Sequence, residues 1–154
     1  MKKVLIAIDY DPAAQRVAEV GYALAKELEA EVSLIHVISN PVYYSVSEFE
    51  PMGFVGYNDL MLTNNIIDSL REVGQEFLNR SKTHLGDKNI KTIVSEGDFA
   101  DGILDASMEL GVDFIVLGTH GRKWYEKILI GSVAEKVLRH SKIPLYLIPT
   151  SYKD

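Results

Sequence analysis

Five short apolar runs alternate with stretches of helical periodicity along the whole chain, and that alternation constrains its fold more than any other feature. Val4–Ile8 is apolar at every position, so it reads as a strand buried on both faces, as in a parallel sheet. Runs at Val32–Val37, Phe114–Leu117 and Pro144–Ile148, and the stretch Ile90–Ser95, which alternates apolar and polar residues except at Ile93, predict four more strands. Between them, apolar or small residues recur at helical spacing: Ala14, Val17, Ala18, Gly21 and Ala25; Ile66, Leu70, Val73 and Phe77; Ala100, Ile103, Leu104 and Ser107; Val133, Ala134, Val137 and Leu138. Asp11 is the expected cap of the first helix, with Pro12 at its first position. Gly86-Asp87 stops the second helix, Asp98 and Gly111 bound the third, and Ser132 opens the fourth. The order β-α-β-α-β-α-β-α-β predicts a three-layer α/β domain, an open parallel five-stranded sheet with right-handed crossovers. One domain over residues 1–154 is expected. Only residues 39–62 break the pattern, with Pro41, Pro51, Gly53, Gly56 and five aromatics, Tyr43, Tyr44, Phe49, Phe54 and Tyr57. A lid, a dimer contact and a partner surface are the candidate roles of this insertion, with plain packing of some rings as the alternative.

Composition removes several function classes. The chain has no cysteine, which excludes disulfides, iron–sulfur clusters, thiolate zinc sites and a cysteine nucleophile. Its 16 basic and 22 acidic side chains give a formal charge of −6, which argues against a nucleic-acid surface. The first apolar run stops at Asp9, too early for a signal-peptide core or a membrane span. A cytoplasmic protein with no membrane partner is the expectation. No nucleophile–base–orienter set or Gly-x-Ser-x-Gly elbow is present, so a catalytic role is not expected. His36, His84 and His140 lack metal-ligand spacing, and His36 reads as a hydrogen-bonded core histidine.

In an open parallel sheet, ligands bind beyond the carboxyl ends of the strands, where strand order reverses. Two strand ends stand out. The first closes on Asp9. The fourth closes on Leu117-Gly118-Thr119-His120-Gly121, followed after nine residues by Gly131-Ser132 at a helix start. Gly118 and Gly121 permit a tight turn and close backbone approach. Gly131-Ser132 brings free N–H groups, a hydroxyl and the positive end of a helix dipole to one point, a site suited to phosphate. Taken singly, the glycines also fit ordinary turns and Ser132 an ordinary N-cap. The pattern is neither a P-loop, since no Lys precedes Ser132, nor the dinucleotide fingerprint, whose glycines follow the first strand.

Gly118-x-x-Gly121-x(9)-Gly131-Ser132 resembles the nucleotide-binding signature of the universal stress protein family, in its ATP-binding branch. The resemblance extends through Lys3–Asp9, His36-Val37, Glu96-Gly97 and Ser141–Pro149, and so covers nearly the whole chain outside the insertion. It implies a Rossmann-like, adenine-nucleotide alpha-hydrolase-like fold with strand order 3-2-1-4-5. It implies a site for ATP, or AMP or ADP, with Mg²⁺ a candidate companion. Ala7, Asp9 and Val37 would meet the adenine, and Leu117 and Gly118 would flank the adenosine. Gly121, Gly131, Ser132 and Val133 would hold the ribose-phosphate end, and Thr119, His120 and Arg122 share that segment. A positional role for His120 and a solvated one for Arg122 are the alternatives. The resemblance also implies a homodimer joined through the last strand, a sheet edge. One departure is Tyr10-Asp11, where family members commonly carry a small residue and Ser; Tyr10 is expected to narrow the pocket and Asp11 to add negative charge.

A receiver-type phosphoacceptor domain is the rival. Asp9, Asp11 and Thr119 suit it, but Glu96 stands where the phosphoacceptor Asp belongs and Lys142 precedes the last strand instead of following it. A slow ATP hydrolase or phosphotransferase using the same site is a third possibility.

Overall fold

A computed structural model of the chain describes residues 1–10, 12–39, 59–120 and 130–150, with the backbone alone for 59–64. Nine elements alternate along it: β1 (Lys3–Ala7), α1 (Ala14–Glu27), β2 (Glu31–Ile38), α2 (Asp59–Leu85), β3 (Lys91–Glu96), α3 (Phe99–Leu110), β4 (Phe114–Gly118), α4 (Ser132–His140) and β5 (Leu145–Ile148). All strands are parallel, in the order β3-β2-β1-β4-β5. The fold and strand order are those expected from the sequence.

Strands β1, β2 and β4 are buried on both faces, the edge strands β3 and β5 only partly, and alternation along the strands divides the core in two. Val4, Ile6, Val32, Leu34 and Val116 face α1 and α2, meeting Val17, Ala18 and Leu78. Leu5, Ile35, Val37, Ile115 and Leu117 face α3 and α4, meeting Ile103, Ala134 and Val137. Two helices therefore cover each face, and the strand order reverses between β1 and β4. Both strands end at the same rim, because Val4 pairs with Phe114 and Ile6 with Val116.

Most boundaries follow local chemistry. Asp98 caps α3, its carboxylate accepting the Asp101 N–H at 3.0 Å. Gly111 closes α3 at φ 61, ψ 47, the left-handed conformation that a side chain would oppose. Two boundaries differ from the sequence reading, while α4 opens at Ser132 as expected. The N-cap of α1 is Ala13, without a side-chain hydrogen bond, and Pro12 lies in the turn before it. Ala13 and Ala14 are buried, so packing on the sheet sets where this helix begins. The residue expected to cap it, Asp11, lies outside the described residues. Helix α2 begins at Asp59, inside the 39–62 break, where no proline or glycine remains to interrupt it. The N-cap of α4 is Gly131, which makes Ser132 the first helical residue and not the cap. The aromatics of the insertion lie outside the described residues.

Candidate functional site

A cavity of about 270 Å³ opens over the rim where β1, β2 and β4 end, close to the lower end of the range for small-molecule sites. Ala7 and Asp9 close β1 onto it, Val37 arrives from β2, and Leu117, Gly118 and His120 from β4. Gly131, Ser132 and Val133 line it at the start of α4. Nine of the twelve residues proposed from the sequence thus meet in one place. Thr119 lies between two of them in sequence but does not line the cavity. Gly121 and Arg122 lie outside the described residues.

The α4 end of the cavity is built for a negative charge. Gly131 leaves the amides of the first turn of α4 without intrahelical acceptors, at the positive end of the helix dipole. The Gly131 N–H itself donates to the Thr119 carbonyl, which ties this helix start to the β4 loop. Gly131 sits at φ −69, ψ 160, a conformation open to any residue. Backbone geometry does not call for glycine there. Lys136, one turn further on, is engaged by Asp98 at 2.9 Å and Asp101 at 3.2 Å. Those contacts raise its pKa, chiefly through the Asp98 hydrogen bond, and strap α4 to α3 beside the cavity.

The other end is apolar and aromatic. Ile8, Ala13, Ala14 and Val17 line one side, Phe99, Ile103 and Ala134 the other. Sequence reasoning did not assign these residues to the site. Phe99 and Ala13-Ala14 had a usable signal, since each follows a strand end by a few positions. The Tyr10 ring lines the cavity and also packs against His36, at 4.5 Å between centroids, and Phe77, at 5.0 Å. His36 is 2% exposed, and its Nδ1–H donates to the Ile8 carbonyl at 3.1 Å. Its Nε2 has no hydrogen-bond partner. Burial lowers its pKa, against a smaller opposing effect of the Ile8 hydrogen bond. A neutral core histidine, as the sequence suggested, is the result.

The receiver arrangement is not assembled. Glu96, at the end of β3, pairs with Arg71, and Lys142 precedes β5. Among the described residues, no three His, Asp or Glu side chains gather to hold a metal ion. Nor is any described helix long and apolar enough to cross a membrane.

An open parallel sheet with a ligand-sized cavity at its switch point defines an α/β binding domain of the adenine-nucleotide alpha-hydrolase-like class. The profile of the universal stress protein family matches residues 1–149, and the chain belongs to that family. Universal stress protein MJ0531 of Methanocaldococcus jannaschii is 32% identical over 155 residues, 99% of this chain and 85% of that protein. Among solved structures, protein MJ0577 superposes with a TM-score of 0.78 at 27% identity, covering 99% of this chain and 98% of the other. A universal stress protein in complex with cAMP shares the fold at 19% identity, with a TM-score of 0.62 and coverage of 97% and 98%. So does an Arabidopsis thaliana family member with AMP bound, at 15% identity, a TM-score of 0.63 and coverage of 99% and 94%.

Proposed function

We propose that this chain is an adenine-nucleotide-binding universal stress protein, a regulatory protein whose state depends on occupancy of the cavity. The observation that carries the reading is the joining of an apolar chamber to a helix N-terminus in one cavity. An adenosine suits the first and a phosphate the second. Asp9 offers a carboxylate to the exocyclic amine of adenine, beside Ala7 and Val37. Gly118 flanks the nucleoside, while Gly131, Ser132 and Val133 hold phosphate oxygens through N–H groups and the Ser132 hydroxyl. Because Gly131 is the cap, the Ser132 hydroxyl is not consumed in capping. The family relatives that carry AMP and cAMP support the adenine part of this reading.

ATP is the ligand proposed first, with AMP and ADP as alternatives and Mg²⁺ as the companion of the triphosphate. A homodimer through β5 completes the proposal. That strand has a partner on one side only, β4, and leaves Tyr146 43% exposed. No nucleophile–base pair is formed among the described residues that line the cavity, which favours a binding role over a catalytic one.

The test is direct. The purified protein is denatured, released small molecules are identified by mass spectrometry, and the stripped protein is titrated with ATP, AMP and cAMP. Release of an adenine nucleotide, or saturable binding on titration, supports the reading. Failure of both would overturn it.

A further inference from the structure

We propose that Thr150 is a positioning residue for this site, a buried latch that fixes Thr119-His120 at the end of β4 and ties them to edge strand β5. The inference rests on the adenine-nucleotide reading above. Thr150 lies two residues beyond β5 and is 3% exposed. Its hydroxyl contacts the His120 backbone twice, accepting from the N–H at 2.9 Å and donating to the carbonyl at 3.0 Å. Its own N–H donates to the Thr119 hydroxyl at 3.2 Å. The Thr119 hydroxyl in turn meets His120 Nδ1 at 3.0 Å. One threonine thereby fixes both polar groups of the His120 backbone and, through Thr119, the ring that lines the cavity.

The methyl group adds a steric reason. A Cβ on Gly118 would lie 2.9 Å from Thr150 Cγ2 and 3.2 Å from Val17 Cγ2. Gly118 is thus the residue that lets Thr150 close over the end of β4. The ladder continues into the loop, since the Thr119 N–H donates to the Ile148 carbonyl at 2.9 Å and the Thr119 carbonyl accepts from Gly131. A continuous path of hydrogen bonds therefore runs from the last residue of β5, through Thr119 and Thr150, to His120 and the start of α4. Displacing the segment after β5 moves the phosphate end of the cavity.

The contacts distinguish hydroxyl from methyl, and so does the test. Full-length wild type, Thr150→Val and Thr150→Ser are compared by AMP and ATP titration calorimetry. Exchange of the His120 amide is followed by NMR without nucleotide. Thr150→Val keeps the shape and removes the hydroxyl. It should weaken nucleotide binding by about tenfold or more, since both hydroxyl hydrogen bonds to the His120 backbone are lost. It should also speed exchange of the His120 amide while the Ile6 and Leu34 amides of the sheet stay protected. Thr150→Ser should restore both properties to near wild type. Unchanged affinity in Thr150→Val overturns the proposal, and so does a loss in Thr150→Ser as large as that in Thr150→Val, because serine keeps the hydroxyl on which the latch depends. If wild type binds no adenine nucleotide, the site reading fails and the role in binding falls with it; His120 exchange then decides the latch by itself.

Discussion

Acidification from pH 7.5 to 5 should destabilise the protein through His36, before the carboxylates are reached. The Nδ1–H of this buried imidazole is committed to the Ile8 carbonyl, and a second proton on Nε2 would find no acceptor. Burial is the larger cause of its lowered pKa. The unfolded chain protonates its histidine near pH 6.5, whereas the folded chain resists. Stability from this group is therefore complete above about pH 6.5 and is lost as the pH falls toward the lower folded value. One proton taken up only by the unfolded state lowers stability by up to about 1.4 kcal/mol per pH unit. The Tyr10 and Phe77 rings, at 4.5 and 5.5 Å from the imidazole, offset part of this by attracting a cation. That offset is worth about 0.5–2 kcal/mol, so a loss of at most about 1.5 kcal/mol between pH 6.5 and 5 is expected. Glu19, Glu31, Asp87 and Asp98 have lowered pKa values, and any stability they supply is lost in a separate window below about pH 4.3. Urea unfolding at half-unit pH steps, on wild type and His36→Asn, isolates the effect. Asparagine keeps an N–H for the Ile8 carbonyl and does not titrate, and the His84–Glu19 pair is common to both proteins and cancels. Parallel stability profiles for the two proteins between pH 7.5 and 5 would refute the reasoning.

Two further substitutions separate binding from folding. Gly131→Val should still fold, because φ −69, ψ 160 suits any residue, at a cost of about 0.5–1 kcal/mol for the poorer N-cap, and should weaken adenine-nucleotide binding by at least about tenfold; equal affinity by calorimetry would remove the role assigned to Gly131. Asp98→Ala deletes the cap of α3 and the 2.9 Å contact with Lys136, and should lower stability by about 0.5–2 kcal/mol in urea unfolding. The exposed ion pair contributes little of that loss, so removing Lys136 alone should have a smaller effect.

The parts of the fold legible in the sequence are those that local chemistry dictates. Runs such as Val4–Ile8 leave no polar face, and the Asp98 cap and Gly111 stop each act within a few residues. The start of α1 was misplaced because burial of Ala13 and Ala14 decides it, a tertiary effect with no capping residue to mark it. The site was legible where it depends on backbone, through Gly118, Gly131 and the first turn of α4. Its apolar wall was not. Ile8, Val17 and Ile103 look like any core residue in sequence, and only the packing of the helices on the sheet brings them to the cavity. Thr150 was invisible for the same reason, since its partners lie 30 residues away across β4 and β5.

A net charge of −6 and a phosphate site are compatible because the two act over different distances. Asp9 is the one carboxylate among the described residues that line the cavity. Acidic groups nearby are engaged by bases: Asp98 by Lys136, Glu96 by Arg71, Glu135 by Arg139. Charges farther away are screened over about 8 Å at physiological ionic strength. The amides at the start of α4 lie on the cavity wall, within direct reach of a bound anion. Their partial charges, fixed in direction by the helix, need no reorganisation to meet a phosphate oxygen. On the proposed reading, selectivity for an anion is thus set by whether Gly131 and Thr119-His120 keep those amides aimed, and not by the sum of charges on the chain.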